Sequence, residues 1–240
     1  MFGRNRITTW LAGATLLPAL GCTPSAVVKQ PASYTELLSA CKDKDGWRDP
    51  APPVRIHGSV FYVGTCGISA LLVTSPQGHA LIDSAEEEAV PQILANIRRL
   101  GFNPRDIRWL LASHVHYDHT GGAAGFRQRF GWRVAIHSLE AAALETGDNK
   151  LSAASWYGDH LAPCPVDVRL ADGDRIPLAE REIQVIHIPG HSLGSLAYLV
   201  ESEGKRVLFA QDVHGPIHPA LLSNRTDYQA SLRKLQALQA

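Results

Sequence analysis

Four side chains able to bind a metal ion fall within six residues of one another: His114, His116, Asp118 and His119, in the segment Trp109-Leu-Leu-Ala-Ser-His-Val-His-Tyr-Asp-His119. Imidazole nitrogen and carboxylate oxygen are ordinary donors to Zn²⁺, at about 2.0–2.2 Å. Two His at i and i+2 of an extended loop can face one ion. Asp118 and His119, two and three residues beyond His116, would face a second. The plainer alternative is a solvated polar loop. Against it, an apolar strand runs straight into the segment, and four polar groups crowded at a strand's end would each need a partner of their own. Two Zn²⁺ about 3.5–4 Å apart lower the pKa of a bound water towards about 7, so hydroxide becomes available near neutral pH. Asp118 would be the catalytic residue that orients it.

The elements that must position this cluster are short. Residues 109–112 read as a buried strand, and Gly121-Gly122 lets the backbone turn into a helix over 121–130. Upstream, the segments 54–57, 61–64, 70–74 and 80–83 are rich in β-branched and aromatic residues. Gly58, Gly64 and Pro76-Gln77-Gly78 separate them, so they read as hairpins. Glu86-Glu87-Glu88 opens a helix with Val90, Leu94, Ile97 and Leu100 on one face, and Gly101 stops it. A short helix is expected over 34–41. Downstream come a strand at 134–137, a helix at 138–144, a loop-like stretch at 147–165, strands at 166–170, 183–188, 196–200 and 207–209, and a helix from 227 onward. Strands, helices, strands, helix in that order predict an α/β protein, a four-layer αββα sandwich of two sheets with helices outside. No linker divides residues 51–240, which read as one domain.

The chain has 240 residues, 45% apolar and 19% charged, too apolar for a disordered chain. Lys+Arg and Asp+Glu are equal at 23 each, which leaves no bulk positive field to gather nucleic acid. A small-molecule substrate is the expected partner. Arg4 and Arg6 precede an apolar run over 7–20, too short to span a bilayer comfortably, and Gly21 then precedes Cys22. This reads as an export signal over 1–21, followed by a linker and N-terminal extension over 22–50. It also resembles a lipoprotein signal, in which Cys22 would be lipidated and anchor the protein to a membrane. The expected location is periplasmic or secreted, where disulfides persist. Cys41 and Cys66 flank the start of the first sheet and are expected to pair, a closure worth about 3 kcal/mol. Cys164 is then free or pairs beyond the end of the chain. No C-x-x-C is present, which argues against a thiolate zinc site or a thioredoxin-like site.

The pattern His-x-His-x-Asp-His after an apolar strand resembles the metallo-β-lactamase superfamily, from about Ile56 to the C-terminus. The resemblance implies that His114 and His116 bind a first zinc ion and Asp118 and His119 a second. It implies that His191, in Ile186-His187-Ile188-Pro189-Gly190-His191-Ser192, completes the first site, with His187 a strand residue. Asp212, ending Val207-Leu-Phe-Ala-Gln-Asp212, matches a position where many hydrolases of the superfamily bridge both ions, one carboxylate oxygen to each. Asp83 matches a supporting residue that hydrogen-bonds the ligand loop. The family's last metal His lies after a further strand, so the second of the two Zn²⁺ sites is expected to be incomplete within these 240 residues. His214 and His218 are expected near the mouth without assigned roles. Tyr117 could reach the pocket or pack.

The stretches 61–70 and 77–83 are similar to the third subclass of metallo-β-lactamases, which implies opening of a β-lactam and antibiotic resistance. That subclass typically has Ser at about the place of Asp212. Asp212 favours instead a lactonase, esterase or thioesterase of the same superfamily. The scaffold can also hold iron in an oxidoreductase, or serve a non-catalytic binding protein.

Overall fold

The computed structural model describes residues 30–213 and 217–238; the export segment and Cys22 lie outside the described residues. After helix α1 (Tyr34–Ala40) come strands β1 (Val54–His57), β2 (Val60–Tyr62), β3 (Leu71–Val73) and β4 (His79–Ile82). Helix α2 (Val90–Arg99) leads to β5 (Ile107–Leu111). Helices α3 (Tyr117–Thr120) and α4 (Ala123–Phe130) lead to β6 (Arg133–His137), and α5 (Ala141–Thr146) leads to β7 (Val168–Leu170). Strands β8 (Arg175–Leu178), β9 (Arg181–His187), β10 (Leu196–Ser202) and β11 (Lys205–Ala210) and helix α6 (Arg225–Ala237) follow.

The first seven strands form one sheet in chain order, and the last four form a second in the order β11-β10-β9-β8. Strands β1 to β4 pair antiparallel, and β4 to β7 pair parallel. Parallel neighbours need a crossover, and the helices supply it. Side-chain alternation then sorts each strand into two faces. Leu71, Val73, Ala80, Ile82, Trp109 and Leu111 meet Ile183, Val185, Leu196, Tyr198 and Val200 between the sheets. The alternate residues Leu72, Leu81 and Leu110 face Ile93, Leu94 and Ile97 of α2 and Phe126 of α4. On the far side, Ile186, Ala197 and Leu199 pack under Leu235 and Leu238. The αββα sandwich is the result.

Strand β8 does not show in the sequence as a strand because Pro177 interrupts it. It lies at the edge of its sheet, where a missing N–H is tolerated, and it buries Ile176 and Leu178 while exposing Arg175 and Pro177. The helix expected at 138–144 starts only at Ala141, because Ser138 to Glu140 form a turn after β6, closed by the Glu140 N–H on the His137 carbonyl. Strand β7 begins at Val168 rather than 166, and the stretch 147–165 contains one 3-10 turn, Ala154–Trp156. Helix α6 starts two residues before 227, capped by Asn224, whose side chain accepts from the Asp227 N–H. A disulfide joins Cys41 and Cys66. Cys164 is buried without a disulfide partner among the described residues, and burial pushes its thiol up to about 11.

Candidate metal centre

Strand β5 runs out at Leu111 and delivers Ser113 to His116 as a loop, which winds into α3 with His116 as its N-cap. Gly121 and Gly122 are needed for space rather than for turning. Gly121 keeps a helical φ of −55°, and a Cβ there would stand 2.7 Å from the Tyr117 carbonyl and 2.9 Å from Glu86 Cα. A Cβ on Gly122 would stand 2.7 Å from Val90 Cγ2. The second sheet contributes from the other side. Strand β9 ends at His187, and Pro189-Gly190 turns the chain to present His191. Gly190 has φ +139° and passes so close to α6 that a Cβ would meet Tyr228 Cα at 2.4 Å. Asp212 follows β11 at φ +52°, a conformation rare for a side-chain-bearing residue. Two bonds lock the sheets together beside the site: Leu196 N–H to the Ser113 carbonyl and Tyr198 O–H to the Ala112 carbonyl, both 2.7 Å.

Six side chains converge in two groups. In the first, His191 Nε2 lies 2.9 Å from His116 Nδ1 and 3.1 Å from Asp212 Oδ2, and His114 Nε2 lies 3.6 Å from the same oxygen. In the second, His119 Nε2 lies 3.3 Å from Asp118 Oδ2 and 3.5 Å from Asp212 Oδ2. Asp212 Oδ2 therefore faces both groups.

These spacings fit a cation. Donors about 2.0–2.1 Å from a tetrahedral ion stand about 3.3–3.4 Å from one another. His114 Nε2 is buried with no hydrogen-bond partner among the described residues, an arrangement that is costly unless something else meets the lone pair. Two imidazole nitrogens 2.9 Å apart likewise need either a shared proton or a shared ion. The protonation pattern agrees. Burial, reinforced by neighbouring imidazoles, pushes His114 well below its usual range and His116 down to about 3, so both offer lone pairs. Burial acts to lower His119 too, but Asp118, Asp212 and Asp83 outweigh it and hold it well above the ordinary value. Burial would raise Asp212 and Asp118. Hydrogen bonds from His119 and His191 hold Asp212 far below the carboxylate range, and the charge of His119 holds Asp118 low. In the second group a proton on His119 balances charge that a divalent cation would balance when bound.

Asp83 is fully buried and acts as a support. Its carboxylate accepts from the Ser113 N–H (2.6 Å), the Ser113 hydroxyl (2.7 Å) and His119 Nδ1 (2.8 Å). The last bond turns His119 Nε2 towards Asp118 and Asp212. His187 stays outside both groups, facing the Leu193 carbonyl at 2.9 Å and stacked on His137 at 4.1 Å. Tyr117 packs: its ring is buried, and its hydroxyl donates to Glu88 at 3.4 Å. His218 meets the edge of the exposed Trp156 ring, and His214 lies outside the described residues. Tyr157 is exposed, and partial burial and the charges of Asp118 and Asp212 raise its phenol. Glu140 was not singled out in the sequence, yet it is buried with one oxygen on the Val115 N–H and the other on the Gly194 N–H. Its only sequence signal is its place just past a parallel strand, at the strand ends where site residues gather.

Residues 63–240 match the family described as the metallo-beta-lactamase superfamily. The chain is 36% identical over 157 residues to an acyl-coenzyme A thioesterase, MBLAC2, of Gallus gallus, covering 58% of this chain and 53% of that protein. It is 27% identical over 155 residues to an N-acyl homoserine lactonase of Bacillus cereus, covering 63% and 51%. The chain thus spans about half the length of the curated relatives it matches. Among solved structures, MIM-2 metallo-beta-lactamase superposes with a TM-score of 0.75 at 31% identity, covering 86% of this chain and 80% of that one.

Proposed function

The chain belongs to the metallo-β-lactamase superfamily, and on this premise we propose that it is a hydrolase that uses two zinc ions to open a β-lactam ring. The observation that carries the two-ion reading is Asp212 Oδ2 standing within 3.6 Å of donors from both groups. His114, His116 and His191 would hold the first ion. Asp118 and His119 would hold the second, with Asp212 facing both. Cations held there supply Lewis acidity and a water acidified towards about pH 7. Asp118, ionised at neutral pH, accepts a hydrogen bond from the attacking water and can carry its proton towards the leaving atom. Burial of His114, His116 and His119 keeps competing solvent away from the donors. Trp156, Tyr157 and Leu222, all exposed, offer apolar surface to a substrate.

The likeness to MIM-2 across most of the chain supports a β-lactam. A second reading, hydrolysis of a thioester or lactone, is favoured by the carboxylate of Asp212 and by the thioesterase and lactonase relatives. Metal analysis with turnover of nitrocefin, an acyl-coenzyme A and an acyl homoserine lactone separates them. Zinc with nitrocefin turnover is the expected result. Turnover of the thioester or lactone alone overturns the β-lactam reading. Iron in place of zinc points to an oxidoreductase, and zinc without turnover to a binding protein.

The Arg4/Arg6 segment and the run over 7–20 support export, and the Cys41–Cys66 bond suits an oxidising compartment. If Cys22 is lipidated, Cys22→Ser releases the protein from the membrane fraction; equal fractionation of both forms leaves plain cleavage.

A further inference from the structure

Glu140 lies between the two loops that carry the first-site donors, and its role rests on the metal-centre reading above. It stands three residues past β6, immediately before α5, with only 5% of its surface exposed. Its two oxygens take different partners. Oε2 accepts from the Val115 N–H at 2.9 Å, and Oε1 accepts from the Gly194 N–H at 2.9 Å. Val115 separates His114 from His116, and Gly194 lies three residues past His191. The two loops come from different sheets, and His116 and His191 are 75 positions apart in the chain.

The contact with the second loop is tight. A Cβ on Gly194 would stand 2.8 Å from Glu140 Cγ and 3.0 Å from His137 Cβ, so any larger residue would push the loop off the carboxylate. A buried carboxylate is costly unless its oxygens are bonded, and a well-packed apolar residue would fill the same volume more cheaply. The bonds to Val115 and Gly194, with one from the Ser192 side chain of the second loop, are what this charge obtains in return.

We propose that Glu140 is a positioning residue for the first metal site. It spans the gap between the sheets and sets the separation of His116 Nδ1 and His191 Nε2, here 2.9 Å. A Gln at this place keeps the shape but turns an N–H₂ towards one of the two amides, so one bond becomes a donor–donor contact. An Asp is one methylene short and reaches one loop only.

The test is zinc affinity measured by competition with a chromophoric chelator, together with near-ultraviolet circular dichroism and the Tm of the metal-free protein. Glu140→Gln is expected to weaken first-site zinc binding about 10–100-fold while the folded spectrum persists, with Glu140→Asp in between. A purely structural Glu140 would lower the metal-free Tm and leave the zinc affinity of the folded protein unchanged; that result overturns the proposal. Should Glu140→Gln not fold, amide exchange in the parent decides. The Val115 and Gly194 amides are expected to be protected in the metal-free protein, and rapid exchange at either overturns the brace. A parent that binds no zinc overturns both this proposal and the metal-centre reading. A parent and variant that bind equally overturn this one alone.

Discussion

At the level of single residues, the centre is a problem of satisfying lone pairs and charges. His114, His116 and His191 are buried imidazoles that converge, and each keeps one ring nitrogen without a hydrogen-bond partner among the described residues. On the two-ion proposal, Asp212 is the residue on which the second ion would depend most. Asp212→Ser is expected to retain about one zinc per chain instead of about two and to lose on the order of 100-fold in kcat, checked by metal analysis and turnover. Unchanged stoichiometry would remove Asp212 from the donor set. Asp83 answers to a different measurement. Replacing it with Ala leaves the Ser113 N–H, the Ser113 hydroxyl and His119 Nδ1 without their buried acceptor. Asp83→Ala is therefore expected to destabilise the metal-free protein by about 3 kcal/mol, read from urea unfolding.

At the level of elements, how closely α3 and α4 pass the start of α2 fixes where the ligand loop stands. Gly122 marks this approach, and Gly125 on the same helical run provides its control. A Cβ at Gly122 would collide with Val90 and Ser84, whereas a Cβ at Gly125 meets nothing within 4 Å. Gly122→Ala is expected to destabilise by about 1–3 kcal/mol through overpacking. Gly125→Ala, inside α4, is expected to stabilise by about 0.5–1 kcal/mol because the unfolded chain loses freedom it would otherwise have. Thermal unfolding of both checks this; a stabilising Gly122→Ala would show that the approach is loose.

At the level of the whole molecule, the site exists only where strand ends of two sheets, packed face to face, come together. His137 at the end of β6 stacks on His187 at the end of β9 beside that seam. Burial, then the neighbouring His187, lowers His137 to about 4, and its Nδ1 accepts from the Leu139 N–H at 3.2 Å. The unfolded chain takes up this proton near pH 6.5, while the folded chain resists it until about pH 4. The unfolded state therefore binds more protons in that window, and stability falls as pH drops through it. Metal-free parent is expected to lose up to about 3 kcal/mol more than His137→Asn between pH 7 and pH 4. Parallel pH profiles would show that the stacked pair carries no such coupling.

The candidate donors of the first cluster were legible in the sequence because their spacing is local. His114, His116, Asp118 and His119 share one strand end, and the flanking segments are short apolar runs of strand length separated by turn residues. The family resemblance then brought in His191, Asp212 and Asp83. Their convergence was decided by tertiary structure alone. A separation of 75 residues says nothing about 2.9 Å, and no spacing rule shows that one oxygen of Asp212 faces both groups. Strand β8 was hidden because Pro177 is tolerated only at an edge, and edges are a property of the assembled sheet. Glu140 was hidden because a Glu in Ser-Leu-Glu reads as solvated. It is drawn inward by two amides from opposite sheets, and those amides become neighbours only once both sheets have packed. Short-range pattern reports which chemistry the chain carries; packing of distant segments decides where that chemistry is assembled.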